Sequence, residues 1–210
     1  MRLYVLIFFT FQIIHANSIN FSYGIIGDLK SNPKTLSDLK DQSEIVSGDR
    51  IRINAGFNSQ TNFYLIYKDA NDDYSLLYDK VELKKINKSD TLYINPLPWS
   101  TFEAPIGTEI FYLINTSEPL IDLKKILLRY LDAPKKGKVK LGKKIQNMLN
   151  LLDPNSVEDL SSITNRLDKP IVGGVAFRGE NDTILKPQSL IYQCEGVEGI
   201  AFQKISINHK

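Results

Sequence analysis

Residues 48–78 read GDRIRINAGFNSQTNFYLIYKDANDDYSLLY, and the expected fold class follows from them. Ile51, Ile53, Ala55 and Phe57 alternate with Arg50, Arg52, Asn54 and Gly56. A period of two places one face in a core and the other in water. Phe63 to Tyr67 is instead continuously apolar and aromatic, as a strand covered on both faces is. Ser47-Gly48-Asp49, Asn58 to Thr61 and Asp69 to Asp73 carry turn chemistry. With Tyr74 to Tyr78 as the returning strand, an antiparallel meander is expected.

Downstream, Leu92 to Ile94 reads as a short strand. Asn95 to Gly107 holds Pro96, Pro98 and Pro105 around Trp99, which predicts a stiff loop or an edge rather than a central strand. In Glu109 to Ile114, Ile110, Tyr112 and Ile114 share one face, and Phe111 and Leu113 the other. A helix is expected next, with Ser117 as cap, Pro119 in its first turn, and Leu120, Leu123, Ile126, Leu127 and Tyr130 on one side. Ala133-Pro134 ends it. The lysine run that follows reads as an interhelical loop, pliable at Gly137 and Gly142. Ile145, Met148, Leu149 and Leu152 then fit a second helix, stopped at Asp153-Pro154. Ser156 and Asp159 resemble a capping box opening a third, with Val157, Leu160, Ile163 and Leu167 inward. Ile171 to Phe177, Ser189 to Cys194 and Gly199 to Ile207 return to strand. In the last, Ile200 and Phe202 are out of phase with Ile205 and Ile207, which predicts a bulge near Gln203-Lys204. The expected fold is α+β: an antiparallel, β-rich, sandwich-like domain with a two- to three-helix insertion, 117–168, before its C-terminal strands.

Upstream, Met1 to Ala16 has the form of a signal peptide. Arg2 is positive, Leu3 to Ile14 is apolar except for Thr10 and Gln12, and Ala16 is small. The apolar run is shorter than the roughly 20 residues that a bilayer span needs. Export to the periplasm or the extracellular space, with cleavage near Ala16, is the expectation; an uncleaved anchor is the alternative. Residues 17–44 read as a polar lead-in holding one short strand, Phe21 to Ile26, and 45–210 as the single domain.

The 210 residues are 42% hydrophobic and 24% charged, which suits one globular core. A net charge of +2 supplies no global field for nucleic acid, and for membrane only a weak one or none. The single cysteine, Cys194, excludes an intramolecular disulfide. The two histidines are His15, in the expected signal, and His209, next to the end, which removes most histidine-dependent catalysis. The sequence contains no phosphate loop, dinucleotide fingerprint, nucleophile elbow or zinc spacing, so no cofactor or metal is expected.

Four groups of residues carry candidate chemistry. Asp69, Asn71 and Asp73 have calcium-loop spacing, but positions six and twelve are Tyr74 and Lys80, so a solvated hairpin turn is expected. Cys194 reads as a core cysteine, with His209 its only available base. Lys135, Lys136, Lys138, Lys140, Lys143 and Lys144 read as a solvated loop or as a site for an anionic partner. Trp99, with Pro98 and Phe102, reads as a plug at the end of the β core or as an exposed partner-binding patch. Glu103, Glu109 and Glu118 offer carboxylates for hydrolysis, without a spacing that selects a pair.

Several of these segments together resemble a known family. They are Gly48-Asp49-Arg50-Ile51-Arg52-Ile53, Asn62 to Tyr67, Leu76-Leu77-Tyr78, Ala104-Pro105-Ile106-Gly107-Thr108-Glu109, Phe111 to Ile114, Ser117-Glu118-Pro119 and Arg178-Gly179. From about Ile45 to His209 their order resembles the bacterial "domain of unknown function 4384" family. The chain departs from that pattern at Tyr78-Asp79, where a proline is usual, and in its long helical stretch. The resemblance implies an accessory domain, exported alone or attached to kinases or caspase-like peptidases, with no catalytic residues to carry over. The expected function is a non-catalytic, exported binding domain for a protein or a cell-envelope component. The alternatives are an anion-binding surface protein and a carboxylate-dependent envelope hydrolase.

Overall fold

The computed structural model describes residues 19–57, 61–83, 91–154, 165–166 and 192–210. The strands are β1 (Asn20–Asp28), β2 (Ser37–Leu39), β3 (Ser43–Ile45), β4 (Arg50–Phe57), β5 (Thr61–Lys68), β6 (Tyr74–Leu83), β7 (Leu92–Thr101), β8 (Gly107–Thr116), β9 (Asn165–Arg166), β10 (Tyr192–Glu195) and β11 (Ile200–His209). The helices α1 (Ile121–Leu131) and α2 (Lys135–Leu152) lie between β8 and β9 in the chain. One sheet has the order β7-β4-β1-β10-β9, with β2 also on β1; the other has the order β3-β11-β8-β5-β6. All pairs are antiparallel except β3 with β11.

The chain is therefore an α+β, sandwich-like domain in three layers: sheet, sheet and helices. One core lies between the sheets, where Phe21, Ile25, Ile51, Ile53 and Phe57 meet Phe63, Leu65, Phe111, Leu113, Ile205 and Ile207. The second lies between the other face of the β5–β8–β11 sheet and the helices, where Tyr64, Ile66, Tyr112, Ile114 and Phe202 meet Leu123, Ile126, Leu127, Tyr130, Ile145 and Leu149. Each fully buried side chain of this size contributes roughly 1.5–3 kcal/mol. At the centre of the first core, the Phe63 ring centroid lies 5.0 Å from that of Phe57 and 5.7 Å from that of Phe21.

Several expectations are corrected. Strand β4 joins one sheet and the β5–β6 hairpin the other, so the three do not form one meander. The described part of the expected lead-in, residues 19–44, belongs to the domain: the expected strand Phe21 to Ile26 falls within β1, which sits between β4 and β10, and Phe21, Tyr23 and Ile25 are buried. No bulge interrupts β11, whose residues pair in unbroken register with β8 from Ile200↔Thr116 to His209↔Gly107. The change of phase in its sequence marks its two buried faces: Phe202 meets the helices, whereas Ile205 and Ile207 face the other sheet. Bulges fall instead in the β4–β7 and β5–β6 pairs. Of the two readings of the Pro-rich segment, the edge holds: β7 runs on through Pro96 and Pro98 as an edge strand, which tolerates proline.

Ser117 is not the cap of α1. Leu120 holds that position, and its N–H donates to the Tyr64 hydroxyl at 2.9 Å. The lysine run is not a loop: α2 begins at Lys135, directly after Pro134. Each glycine within α2 costs about 1 kcal/mol relative to alanine, but burial of Ile145 and Leu149 offsets this. Asn165–Arg166, expected near the end of a third helix, pair with β10. The signal segment, the rest of that helix, the strand Ile171 to Phe177 and Arg178-Gly179 lie outside the described residues.

Candidate functional site

Strands β6 and β7 are edges of different sheets, and a cleft of about 330 Å³ opens beside them at the Pro-rich end of the sandwich. Leu77, Leu97, Phe102, Pro105 and Phe111 supply its apolar wall, and Tyr67, Asp69, Glu103 and Glu109 its ionisable groups. Among the described residues, no lysine, arginine or histidine lines it. The turn beneath is closely knit. Gly48 takes a left-handed conformation, with φ of 89°, that a side chain rarely adopts. Its N–H donates to the Phe102 carbonyl at 2.7 Å, and the Phe102 N–H to the Asp49 carbonyl at 2.9 Å. The buried Asp49 carboxylate accepts from the Lys30 and Val46 N–H groups at 2.7 and 2.9 Å. The Gly48-Asp49 pair thus has a structural explanation.

Glu109 is the one buried acid among the described residues of the cleft wall. Strand pleating puts it in phase with Phe111 and Leu113, facing the other sheet. Its Oε2 accepts from the Tyr67 hydroxyl, and its Oε1 lies 3.1 Å from His209 Nδ1. His209 Nε2 lies 2.9 Å from Ser47 Oγ. Burial pushes the Glu109 carboxyl above its usual range, and the hydrogen bonds from Tyr67 and His209 oppose this. The Tyr67 phenol is pushed up by burial and by its bond to Glu109.

Ser47, His209 and Glu109 are connected as a nucleophile, a base and its orienting acid are. Two observations argue against that chemistry. Ser47 does not line the cleft. The His209 side chain is 0% exposed, which leaves a leaving group no approach to Nε2. The chain of hydrogen bonds instead joins β5, β8, β11 and the turn at Ser47, and it orients Glu109. Sequence reasoning set His209 aside because it lies next to the end; β11 holds it buried through its last residue. A signal existed, because His209 is in phase with Ile205 and Ile207, as Glu109 is with Phe111 and Leu113.

The structure separates the residues of the expected aromatic patch. Phe102 is buried, edge-on to Phe111 and His209, and closes the end of the core. Trp99 is half-buried outside the cleft wall, with the Arg50 guanidinium 5.6 Å above its ring, and Pro98 is exposed. The Asp69–Asp73 turn uses its carboxylates internally: Asp69 Oδ1 accepts from the Asn71 and Asp73 N–H groups, Asp73 from the Tyr130 hydroxyl. Among the described residues, no group of three or more His, Cys, Asp or Glu is placed to hold a metal ion. Cys194 is buried and its thiol is pushed up to about 12, mainly by burial; His209 is committed to Glu109 and Ser47.

On α2, Lys135, Lys136, Lys140, Lys143 and Lys144 are exposed, while Lys138 lies 3.8 Å from Asp73. The first turn contains no acid, so Lys135 and Lys136 meet the positive end of the helix dipole unopposed. Lys136, Lys140 and Lys144 are spaced four apart, and each such like-charge pair costs a helix roughly 0.2–0.5 kcal/mol. Comparison of the chain with family models, curated proteins and solved structures returned no match.

Proposed function

We propose that this chain is an exported interaction domain that takes a partner's segment in the cleft between β6 and β7. The observation that carries the reading is the pairing of an apolar wall with Asp69, Glu103 and Glu109, with no basic residue among the described lining residues. Pockets of this size with a few convergent polar groups and a perturbed carboxyl are where ligands bind by default. The complementary group is a cation on an apolar stem, such as a lysine or arginine side chain within an extended peptide. The test is calorimetric titration with a peptide library. Peptides with a basic residue flanked by apolar ones should bind, and the combined Asp69→Asn and Glu103→Gln changes should weaken them at least tenfold. An affinity indifferent to those changes would defeat the proposal.

A second reading, a carboxylate-dependent hydrolase, is favoured by one observation: the raised Glu109 carboxyl shares its cleft with Glu103 and Asp69. It requires that cell-envelope material be cleaved and that Glu109→Gln abolish the cleavage while the protein stays folded. Equal turnover by the folded variant would remove it.

A further inference from the structure

We infer that the outer face of the helical layer docks onto an anionic phospholipid bilayer. Lys136, Val139, Lys140, Lys143, Asn147 and Leu151 recur at helical spacing on one side of α2, and all are exposed. The opposite side, with Ile145 and Leu149, is buried. Val139 is 62% exposed and Leu151 86%; on α1, Ile121 and Leu128 are also exposed. Apolar residues set among lysines on a surface helix are the pattern of an interfacial helix, whose apolar groups enter the acyl boundary while the lysines meet headgroups.

The charge distribution is equally one-sided. Residues 121–152 hold nine lysines and arginines against Asp122 and Asp132, a net +7, whereas the whole chain carries +2. The remainder of the chain is therefore net −5, so the helical segment carries the excess positive charge that a negative plane attracts. Among the described residues, no acid lies within ion-pair distance of Lys135, Lys136, Lys140, Lys143 or Lys144. The helix thus retains cations at its positive end and like charges four apart, and no described acid outside it pairs with them. Anionic headgroups would relieve both. A soluble polyanion would also neutralise the lysines, but it gives Val139 and Leu151 nothing to enter.

The experiment is co-sedimentation of the full chain with vesicles of phosphatidylcholine alone and of phosphatidylcholine with about a third phosphatidylglycerol. Binding is expected to the mixed vesicles only. Replacing the five exposed lysines by glutamine should abolish it, and Val139→Ser with Leu151→Ser should weaken it at least tenfold. Absence of binding to the mixed vesicles, or binding unchanged in either variant, overturns the inference. Binding to heparin that equals vesicle binding and ignores the serine changes also overturns it, in favour of a purely electrostatic polyanion site. The cleft variants used with peptides leave this face intact, so the two proposals fail independently.

Discussion

His209, one residue from the end of the sequence, holds its Nδ1 3.1 Å from Oε1 of Glu109, which lies one hundred residues earlier. The pair is enclosed between the sheets, with side-chain exposures of 0% and 3%. A buried acid survives there because Tyr67 and His209 supply hydrogen bonds to both carboxylate oxygens.

The raised pKa of Glu109 has a definite consequence for stability. The folded protein holds this proton more tightly than the unfolded chain does. The contribution is fully present below the ordinary carboxyl value of 4.5 and is lost as pH rises through the folded value. Glu109→Gln keeps the shape without the titration. Thermal unfolding between about pH 4 and 8 should show wild type losing stability relative to this variant as pH rises. Parallel curves would mean that the carboxyl is not perturbed.

Cys194 should be inert in the folded protein. Its thiol is buried and pushed up to about 12, so almost no thiolate forms near neutral pH. A thiol reagent at pH 8 should modify it only slowly in buffer and stoichiometrically in denaturant. Rapid labelling of folded protein would contradict this placement.

Phe102 and Trp99, three residues apart, should differ sharply on truncation. Phe102→Ala opens the end of the core beside Phe111 and His209 and should cost about 3–5 kcal/mol in denaturant unfolding. Trp99→Ala loses only a half-buried ring under Arg50 and should cost clearly less. Equal losses would place Trp99 in the core.

Gly142 lies within α2 facing Tyr130 and Tyr74. A β-carbon added there would lie 3.6 Å from one ring and 3.7 Å from the other, ordinary contact distances. Gly142→Ala should therefore stabilise the fold by about 1 kcal/mol, read as a raised denaturant midpoint. A lowered midpoint would show that the helix needs the closer approach.

The strands between Ile51 and Ile114 were legible because period two and continuous apolar runs are local signals. Their division into two sheets was not, because local pattern does not say which strand pairs with which. The lysine run was misread for a related reason. Two glycines and six lysines argue against a helix when taken alone. Packing of the residues that follow against Tyr64, Ile66 and Phe202 draws the whole segment into one. The candidate cleft was partly legible: the Pro-rich stretch was marked as a working surface, with Phe102 on it, but Trp99 drew the attention that Glu109 warranted.

By itself the sequence determined the class, β-rich and sandwich-like with helices before the last strands, because hydrophobic period and turn chemistry are written residue by residue. Tertiary structure alone decided that β1 lies inside a sheet, that β11 is buried on both faces, and that Glu109 meets His209. Those outcomes depend on pairing across long separations. An acid or a histidine in phase with apolar neighbours shows only that it points inward; what it meets there is set by the strand that the fold lays beside it.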